Sequence, residues 1–443
     1  MFEYIKLNNF KSFGNIEFNL LDKKGEPKKL ILLYGENGIG KSNLASAFFM
    51  LSETLRTMDV RDILQSFLSE QPDALSNENF ARLFKMRYKD LETLIHENKM
   101  VDASEPMSLE FGFRIHEKRG RYLLETNDTQ LIHERLEYTL TKNRGVYFDI
   151  TPDEMIISPK IFLDKAALQE IKVSCSKYWG KHSLLSILMH ESNDKSDKYI
   201  KEQLSENFEY IIEFLSRVSC QVKFGSRQER GIIGLPREMF GDFDEGNISK
   251  EDEYLLDNAE EMLTLFFQST SRDTKKVFYK RTKKENRLHY QLMQTKVIAG
   301  KERDIEFSME STGTQSLLQL LPFMLVVVKG SVAIIDEFDT GVHDLLVKNL
   351  VKSLYANLRG QLIMTTHSTL LMESELPKEC IYVINELASG DKEIQCITYY
   401  DNKINKNTNI RDQYLGGKYN GIPELATVDF VSLLNVLGID VDS

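Results

Sequence analysis

The chain has 443 residues, of which 42% are hydrophobic and 28% charged; this composition is typical of a globular protein and too apolar for a disordered one. Its length predicts two or three domains, and the sequence contains neither a secretory signal nor an apolar run near the about 20 residues of a membrane span. The net charge of −11 argues against an extended nucleic-acid surface, and four scattered cysteines without a CxxC pair predict reduced thiols in a cytoplasmic protein without a membrane partner.

The N-terminal region predicts a β-hairpin followed by a buried strand. Apolar residues alternate loosely along residues 2–10 and again at Ile16, Phe18 and Leu20, so that the turn is expected near Gly14. A polar tract at 22–29 then leads into the apolar run LILLY at 30–34.

The segment GENGIGKS, directly after this run, fits the phosphate-binding pattern GxxxxGK[ST] between a predicted strand and a predicted helix. In such a loop, backbone N–H groups converge on phosphate oxygens at a helix N-terminus. We expect Lys41 to neutralise the β- and γ-phosphates and Ser42 to offer its hydroxyl to Mg²⁺. The expected nucleotide-binding residues are Gly35, Glu36, Asn37, Gly38, Ile39, Gly40, Lys41 and Ser42. The alternative is a glycine-rich turn without a ligand.

The next 200 residues divide into a charged helical stretch, a strand-rich block and a second helical segment. Residues 51–100 have a charged helical pattern interrupted at Pro72, and four strands are predicted at 108–115, 121–126, 135–141 and 146–150, which favours an antiparallel lobe. Residues 159–258 show helical periodicity without sustained heptads, which predicts a helical insert and excludes a long coiled-coil arm. Trp179 in this insert is interpreted as a packing anchor.

A basic segment, KKVFYKRTKKENR at 275–287, has two interpretations. Its lysines and arginines, with Phe278 and Tyr279 between them, are able to contact nucleic-acid phosphates and stack on a base. The favoured interpretation is a solvated β-hairpin, because alternating charges lead directly into the strand-like run at 288–297.

Three further motifs carry candidate chemistry. In ESTGTQSLLQLL at 310–321, Ser311 is placed as a helix N-cap and Gly313 allows close approach of a phosphate, although such a cap is also a common structural device. In SVAIIDEFD at 331–339, a buried strand ends at Asp336, expected to support Mg²⁺ through water, and Glu337, expected to deprotonate the attacking water. In QLIMTTHS, another short strand ends near His367.

The order of these motifs resembles the RecF, Rad50 and SMC class of ATP-binding-cassette (ABC) ATPases. The resemblance implies that His367 senses the γ-phosphate and that residues 339–343 form a subunit contact, the D-loop. The upstream piece NNFKSF is similar to the opening of the same class, which implies that Lys11 and Ser12 lie near the nucleotide; a polar turn is the alternative. The class also has a Q-loop glutamine, for which Gln130 is one candidate without sufficient context.

The resemblance implies an α/β fold, namely an ABC-type ATPase head with a parallel core sheet and an antiparallel β-lobe, interrupted by a helical insert. The expected divisions are an N-terminal half of the head at 1–155, the insert at 156–270 and a C-terminal half at 271–443. It implies ATP and Mg²⁺ as cofactors, and a homodimer or higher oligomer in which Ser311 and Gly313 of one subunit complete the phosphate pocket around Lys41 of another.

The segment NIRDQYLGGKYNGIPEL at 409–425 is similar to the closing motif of standalone ATPases beside effectors in bacterial anti-phage systems, including the OLD-like component of PARIS. This implies a slow regulatory ATPase that controls a separate effector, such as a toxic nuclease, and responds to a phage-derived trigger. The about 20 residues after Pro423 are too few for a nuclease domain. The alternatives are a RecF-like DNA-binding repair ATPase and an assembly protein that barely hydrolyses ATP.

Overall fold

The structure is a computed structural model that describes residues 1–70, 87–139, 144–194, 204–224, 227–235, 243–284, 287–400, 408–422 and 427–438. The predicted break at Pro72 and residues 423–425 of the predicted closing motif lie outside these ranges. Within them, the strands form three sheets, two of seven strands and one of four.

The first sheet is antiparallel and forms a lobe beside the predicted phosphate loop. Its order is β2-β1-β4-β5-β6-β7-β8, and the four strands predicted from the alternating block are confirmed as β4 to β7. Alternate residues of β5 are buried, which is the pattern of a strand with one face against a core. The bounds are Phe2–Phe10 (β1), Phe13–Asn19 (β2), Met107–Ile115 (β4), Lys118–Thr126 (β5), Leu131–Thr139 (β6), Arg144–Ile150 (β7) and Met155–Ile157 (β8).

The second sheet has five adjacent parallel strands and is the core of the head. Its order is β10-β9-β15-β16-β3-β17-β18, and only the two edge pairs are antiparallel. Strands β3 and β15 are apolar throughout, as expected for strands covered by helices on both faces. The bounds are Leu30–Tyr34 (β3), Val218–Phe224 (β9), Arg227–Gly231 (β10), Val332–Ile335 (β15), Gln361–Thr365 (β16), Ile381–Glu386 (β17) and Lys392–Cys396 (β18).

The third sheet contains the basic segment. Strand β13 pairs with β11, β12 and β14, so that the predicted solvated hairpin is present as β12 and β13. The bounds are Glu245–Ser249 (β11), Thr274–Lys284 (β12), Arg287–Ile298 (β13) and Lys301–Glu306 (β14).

The α-helices among the described residues are numbered in chain order. They are Lys41–Thr54 (α1), Thr57–Glu70 (α2), Leu91–Asn98 (α3), Lys165–Tyr178 (α4), Leu184–Asp194 (α5), Glu206–Ser216 (α6), Glu253–Thr270 (α7), Thr312–Lys329 (α8), Asp344–Asn357 (α9), Ile397–Tyr400 (α10), Ile410–Leu415 (α11) and Phe430–Val436 (α12). None of these helices is long and apolar enough to cross a membrane.

A buried glutamine fixes the lobe to the core sheet. The side-chain oxygen of Gln361 accepts a hydrogen bond from the Phe2 backbone N–H at 2.7 Å. Its amide nitrogen donates to the carbonyl oxygens of Phe2 and Lys28 at 3.0 and 2.9 Å. Because Gln361 is fully buried and begins β16, these bonds set the position of β1 against the strand next to the phosphate loop.

The α/β fold class is confirmed, and two local expectations need correction. The 156–270 segment, predicted as a helical insert, also contributes β9 to the middle of the head's sheet, where it pairs with β15. The first hairpin turns at Lys11 and Ser12, whereas Gly14 lies within β2; Lys11 adopts the left-handed φ of 49° that the tight turn requires.

Candidate functional site

The phosphate loop joins the end of β3 to the start of α1. Gly40 caps the helix with φ 118°, and a Cβ at this position would lie 2.9 Å from the Phe13 ring, so only glycine fits without a shift. No side chain caps the first turn of α1, whose N–H groups are therefore available to an anion. The segment GENGIGKS thus connects a strand to a helix, as its pattern predicts.

Lys41 lies against the opening of the loop. Its ammonium donates hydrogen bonds to the carbonyl oxygens of Gly35 at 2.9 Å and Glu36 at 2.8 Å. Burial lowers the pKa of Lys41, while the nearby charges of Asp336, Glu337 and other acids act to raise it. The positive charge of Lys41, which a phosphate would contact, therefore lies close to both acids at the end of β15.

Asp336 is fully buried at the end of β15, and both of its oxygens have donors. Oδ1 accepts from the Thr365 hydroxyl at 2.6 Å, and Oδ2 accepts from the Lys223 backbone N–H at 3.3 Å. No cluster of three or more His, Cys, Asp or Glu side chains suited to a metal occurs in the part of the chain that the structure describes. This donor set fits Mg²⁺ held by a hydroxyl, phosphates and water, with Asp336 acting through the water.

Glu337 follows Asp336 in a left-handed conformation, with φ 52°. Its backbone N–H donates to the Thr365 hydroxyl at 2.7 Å, so one threonine bridges the two acids. The Glu337 carboxylate forms an ion pair with Lys223 and accepts from the Thr340 hydroxyl at 3.0 Å. Partial burial acts to raise the pKa of Glu337, but the hydrogen bonds from Lys223 and Thr340 outweigh it and lower that pKa overall.

His367 lies beyond the end of β16 and is connected to the turn after β15. Its backbone N–H donates to Asp339 Oδ2 at 3.0 Å. Desolvation by the surrounding protein, followed by the charge of Lys41, lowers the pKa of His367. A neutral imidazole near neutral pH is thus placed beside the phosphate loop and the acids.

The parallel arrangement explains why these groups meet. Strands β3, β15 and β16 are neighbours running in one direction, so the loop after each begins at the same edge of the sheet. Lys41, Asp336, Glu337 and His367 are brought together at this carboxyl edge.

Ser311 and Gly313 begin helix α8, as predicted. The Ser311 hydroxyl accepts from the Thr314 backbone N–H at 3.3 Å and is exposed to solvent. Gly313 packs on Gly341 in the turn after β15, where the D-loop was expected. A cleft beside this contact is lined by both glycines together with Ser311 and His343.

Lys11 and Ser12 occupy different surroundings. The Ser12 hydroxyl accepts from Asn43 Nδ2 and from Lys392 Nζ, each at 2.8 Å, and lies beside Gly40 of the loop. Lys11 instead donates to the Ser46 hydroxyl on α1 at 3.0 Å, and burial lowers its pKa to about 8. Ser12 therefore adjoins the phosphate loop directly, whereas Lys11 contacts the side of its helix.

Sequence reasoning missed Thr365 and Lys223, which contact the acidic pair. Thr365 precedes His367 by two residues in the predicted strand, so its position was visible, but its bridging role was not. Lys223 lies in the alternating run VSCQVKF at 218–224, inside the segment predicted as a helical insert; this alternation is the signal that could have identified the strand. Gln130, the tentative Q-loop residue, lies instead in an exposed turn whose backbone N–H donates to Asn127.

The residues present fit a nucleotide with Mg²⁺. The loop offers three features that suit phosphates. They are a helix N-terminus without a side-chain cap, a glycine at a position with no room for a Cβ, and a lysine. Ser42 is partly exposed at the first turn of α1, as a metal-ligating hydroxyl needs to be. Two acids at the end of β15, on the same edge of the sheet, supply the negative charge expected beside the metal.

A known family model matches part of the chain. Residues 252–373 match the family model described as "AAA domain, putative AbiEii toxin, Type IV TA system". This range contains Ser311, Gly313, Asp336, Glu337 and His367, and it begins after the phosphate loop. No curated protein matches the chain.

Among solved structures, the chain is similar to the SMC head domain from Thermotoga maritima, with 13% identity over 89% of this chain and 98% of that one, and a TM-score of 0.36. An SMC head bound to the C-winged helix domain of ScpA shows 15% identity over 89% and 96%, with a TM-score of 0.40. An SMC head with an extended coiled coil bound to the C-terminal domain of ScpA, from Pyrococcus furiosus, shows 15% identity over 89% and 95%, with a TM-score of 0.37. These superpositions are loose, and the fold assignment rests on the strand order of this chain.

Proposed function

We propose that the protein is a Mg²⁺-dependent ATPase whose heads associate around ATP and thereby control a separate effector protein. The observation that supports it best is the convergence of Lys41 with Asp336, Glu337 and Thr365 at the edge of one parallel sheet. Phosphoryl transfer to water needs positioning and charge compensation more than covalent chemistry, and these are the groups that supply both.

Each residue has a distinct role in this proposal. The loop N–H groups and Lys41 hold the β- and γ-phosphates, and Ser42 would help to hold Mg²⁺, which would supply further compensation of the phosphate charge. Asp336 would support the metal through water, Glu337 takes a proton from the attacking water, and Thr365 fixes both acids. His367 contacts the terminal phosphate from the adjacent strand end.

The exposed signature end supports association of two heads. Ser311 is exposed at the N-terminus of α8, beside the contact of Gly313 with Gly341, and this helix end has no assigned anion in its own head. We infer that it completes the phosphate pocket of another subunit, giving a homodimer or a higher oligomer with shared sites. ATP then joins the subunits, and its hydrolysis allows them to separate.

The regulatory and defence role is the finer part of the proposal. It is supported by the closing motif at 409–425 and by the family description of residues 252–373, which refers to a toxin of a type IV toxin–antitoxin system. The proposed partners are an effector, such as a nuclease, and a phage-derived trigger in the bacterial cytoplasm. ATP-dependent capture of the effector is tested by affinity purification of Glu337→Gln from the native host, with and without ATP.

The nucleic-acid alternative is disfavoured by the charges around the basic hairpin. Arg281 forms ion pairs with Glu253, Asp257 and Glu260 at 3.1, 2.5 and 2.8 Å, so its charge is compensated within the protein. Neutralising Lys280, Arg281, Lys283 and Lys284 should therefore leave duplex binding unchanged. A steep salt dependence that flattens in this quadruple variant would favour the RecF-like function instead.

The primary test is ATP hydrolysis by the purified chain with Mg²⁺. Lys41→Ala is expected to abolish ATP binding in calorimetry, because backbone amides cannot replace its charge. Glu337→Gln is expected to bind ATP and to hydrolyse it at least about a hundredfold more slowly, the usual contribution of a general base. Normal turnover in either variant would contradict the assignment.

A further inference from the structure

Lys223 joins the two acids of the site from the neighbouring strand. It lies near the end of β9, where its backbone N–H donates to Asp336 Oδ2 and its ammonium pairs with Glu337 Oε2. The ammonium is also 3.3 Å from the Thr340 hydroxyl. No role for this lysine follows from the phosphate loop, the acidic pair or the signature.

The ion pair engages one oxygen of the proposed general base. Glu337 Oε2 accepts from both Lys223 Nζ and the Thr340 hydroxyl. Both donors stabilise the ionised form of the carboxylate, so in this arrangement Glu337 is a weaker proton acceptor.

The same pair is easily exchanged. The side chains of Lys223 and Glu337 are 27% and 34% exposed, so solvent screens their attraction and separating them costs little. A lysine is a flexible point charge, able to move to another anion within reach. The terminal phosphate of ATP at Lys41 would be such an anion, because Lys41 interacts electrostatically with Glu337 itself.

We propose that Lys223 is a terminal-phosphate sensor: it holds Glu337 in the resting head and transfers to the γ-phosphate of bound ATP, which frees Glu337 to accept a proton from water. This inference rests on the proposed ATPase function and adds a specificity residue to it. ADP has no γ-phosphate, so it leaves Lys223 on Glu337. The head thereby distinguishes the two nucleotides before hydrolysis begins.

The test is nucleotide affinity measured by calorimetry in the Glu337→Gln background. This background removes both hydrolysis and the negative charge of Glu337, so any remaining effect of Lys223 on ATP is not exerted through that carboxylate. Glu337→Gln is compared with Lys223→Met/Glu337→Gln, using ATP and ADP with Mg²⁺. Thermal unfolding of each variant checks that the head is folded.

The transfer to the γ-phosphate predicts that the added Lys223→Met change weakens ATP binding by about tenfold, the value of a hydrogen bond between charged groups, and leaves ADP binding unchanged. The matched control is Lys352→Met. Lys352 lies at the surface on α9, and its Nζ is 2.7 Å from Oε2 of Glu375. This control should change neither affinity.

Equal ATP affinities of the two Glu337→Gln variants would overturn the proposal, since Lys223 would then act only by blocking Glu337. An equal loss of ATP and ADP affinity would overturn it as well, because that result indicates a general charge effect. If Glu337→Gln alone fails to bind ATP, the ATPase function itself is wrong, and the inference falls with it.

Discussion

Gly313, in the first turn of α8, packs on the backbone of Gly341, in the turn after β15. A Cβ added to Gly313 would lie only 2.4 Å from the Gly341 carbonyl oxygen. Asp339 in the same turn accepts a hydrogen bond from the His367 backbone. The start of α8, the turn after β15 and the segment that carries His367 therefore form one continuous set of contacts.

Replacing Gly313 with alanine should disrupt this contact. The added methyl group forces α8 or the turn to move, at a cost of about 1–3 kcal/mol. We expect ATP-driven association and hydrolysis to fall by about tenfold or more, because the displaced start of α8 would be out of position in the partner's pocket. Light scattering and phosphate release measure the two effects. Gly231→Ala is the control, since a Cβ there has no neighbour within 4 Å, and equal behaviour of both variants would remove Gly313 from the signature.

Mixing two inactive variants tests whether the pocket is shared between subunits. Ser311→Arg should keep ATP binding by the separate head, because Ser311 is exposed, and should abolish hydrolysis by blocking the partner's pocket. A heterodimer of Ser311→Arg with Lys41→Ala contains one pocket with both lesions and one with neither, so part of the activity should return. If heterodimers form and remain inactive, either the shared pocket is wrong or both pockets must act together.

Thr365→Val should separate binding from hydrolysis. Valine keeps the shape of threonine but removes the hydroxyl that donates to Asp336 and accepts from Glu337. We expect ATPase activity to fall by about tenfold while ATP is still bound, with a loss of about 1–3 kcal/mol in stability from the unsatisfied buried carboxylate. Thr366→Val is the matched control: this buried hydroxyl accepts from the Ser368 backbone and contacts neither acid. An unaltered rate in Thr365→Val would show that the bridge is dispensable.

Glu134 predicts a pH dependence of stability in the lobe. It is fully buried, its carboxylate accepts from Tyr122, Trp179 and the Leu184 backbone, and desolvation raises its pKa to about 7. Because the folded state binds this proton more tightly than the unfolded state, the stabilisation is complete below about pH 4.5 and is lost as the pH rises through 7. A shift of this size corresponds to about 3 kcal/mol.

The comparison of Glu134→Gln with the parent chain isolates this effect. The amide of glutamine has no charge to bury. The midpoint of thermal unfolding of Glu134→Gln should therefore rise relative to that of the parent as the pH increases from 5.5 to 8.5. Exposed Glu154→Gln controls for the change in net charge and should run parallel to the parent. Parallel curves for all three proteins would mean that Glu134 titrates normally.

Local patterns predicted the phosphate loop, the lobe strands and the acidic strand end. Each depends on contiguous residues: GENGIGKS has its own glycine geometry, and the strand-rich block alternates with the period of a half-buried sheet. Trp179 was also correctly interpreted as a packing residue, since its indole N–H donates to buried Glu134 at 2.8 Å.

Strand β9 was missed although its sequence carries a local signal, whereas the contact made by Lys223 could not be predicted from local patterns. Residues 218–224, VSCQVKF, alternate apolar and polar side chains with the period of a strand, but they lie between helical stretches and were assigned to the helical insert. What makes β9 a strand is its pairing with β15, more than a hundred residues later in the sequence. The ion pair between Lys223 and Glu337 follows from that pairing and is invisible without it.

The strand that feeds the phosphate loop also has neighbours that are synthesised late. Strand β3 is held between β16 and β17, at Gln361–Thr365 and Ile381–Glu386. A growing polypeptide therefore has the loop sequence early but lacks both flanking strands until residue 386 has left the ribosome. Because non-local strand pairing is slow and must precede docking of the loop, ribosome-bound chains should be unable to retain ATP. A nascent chain is in this way unable to take part in ATP-dependent association until β17 has been synthesised.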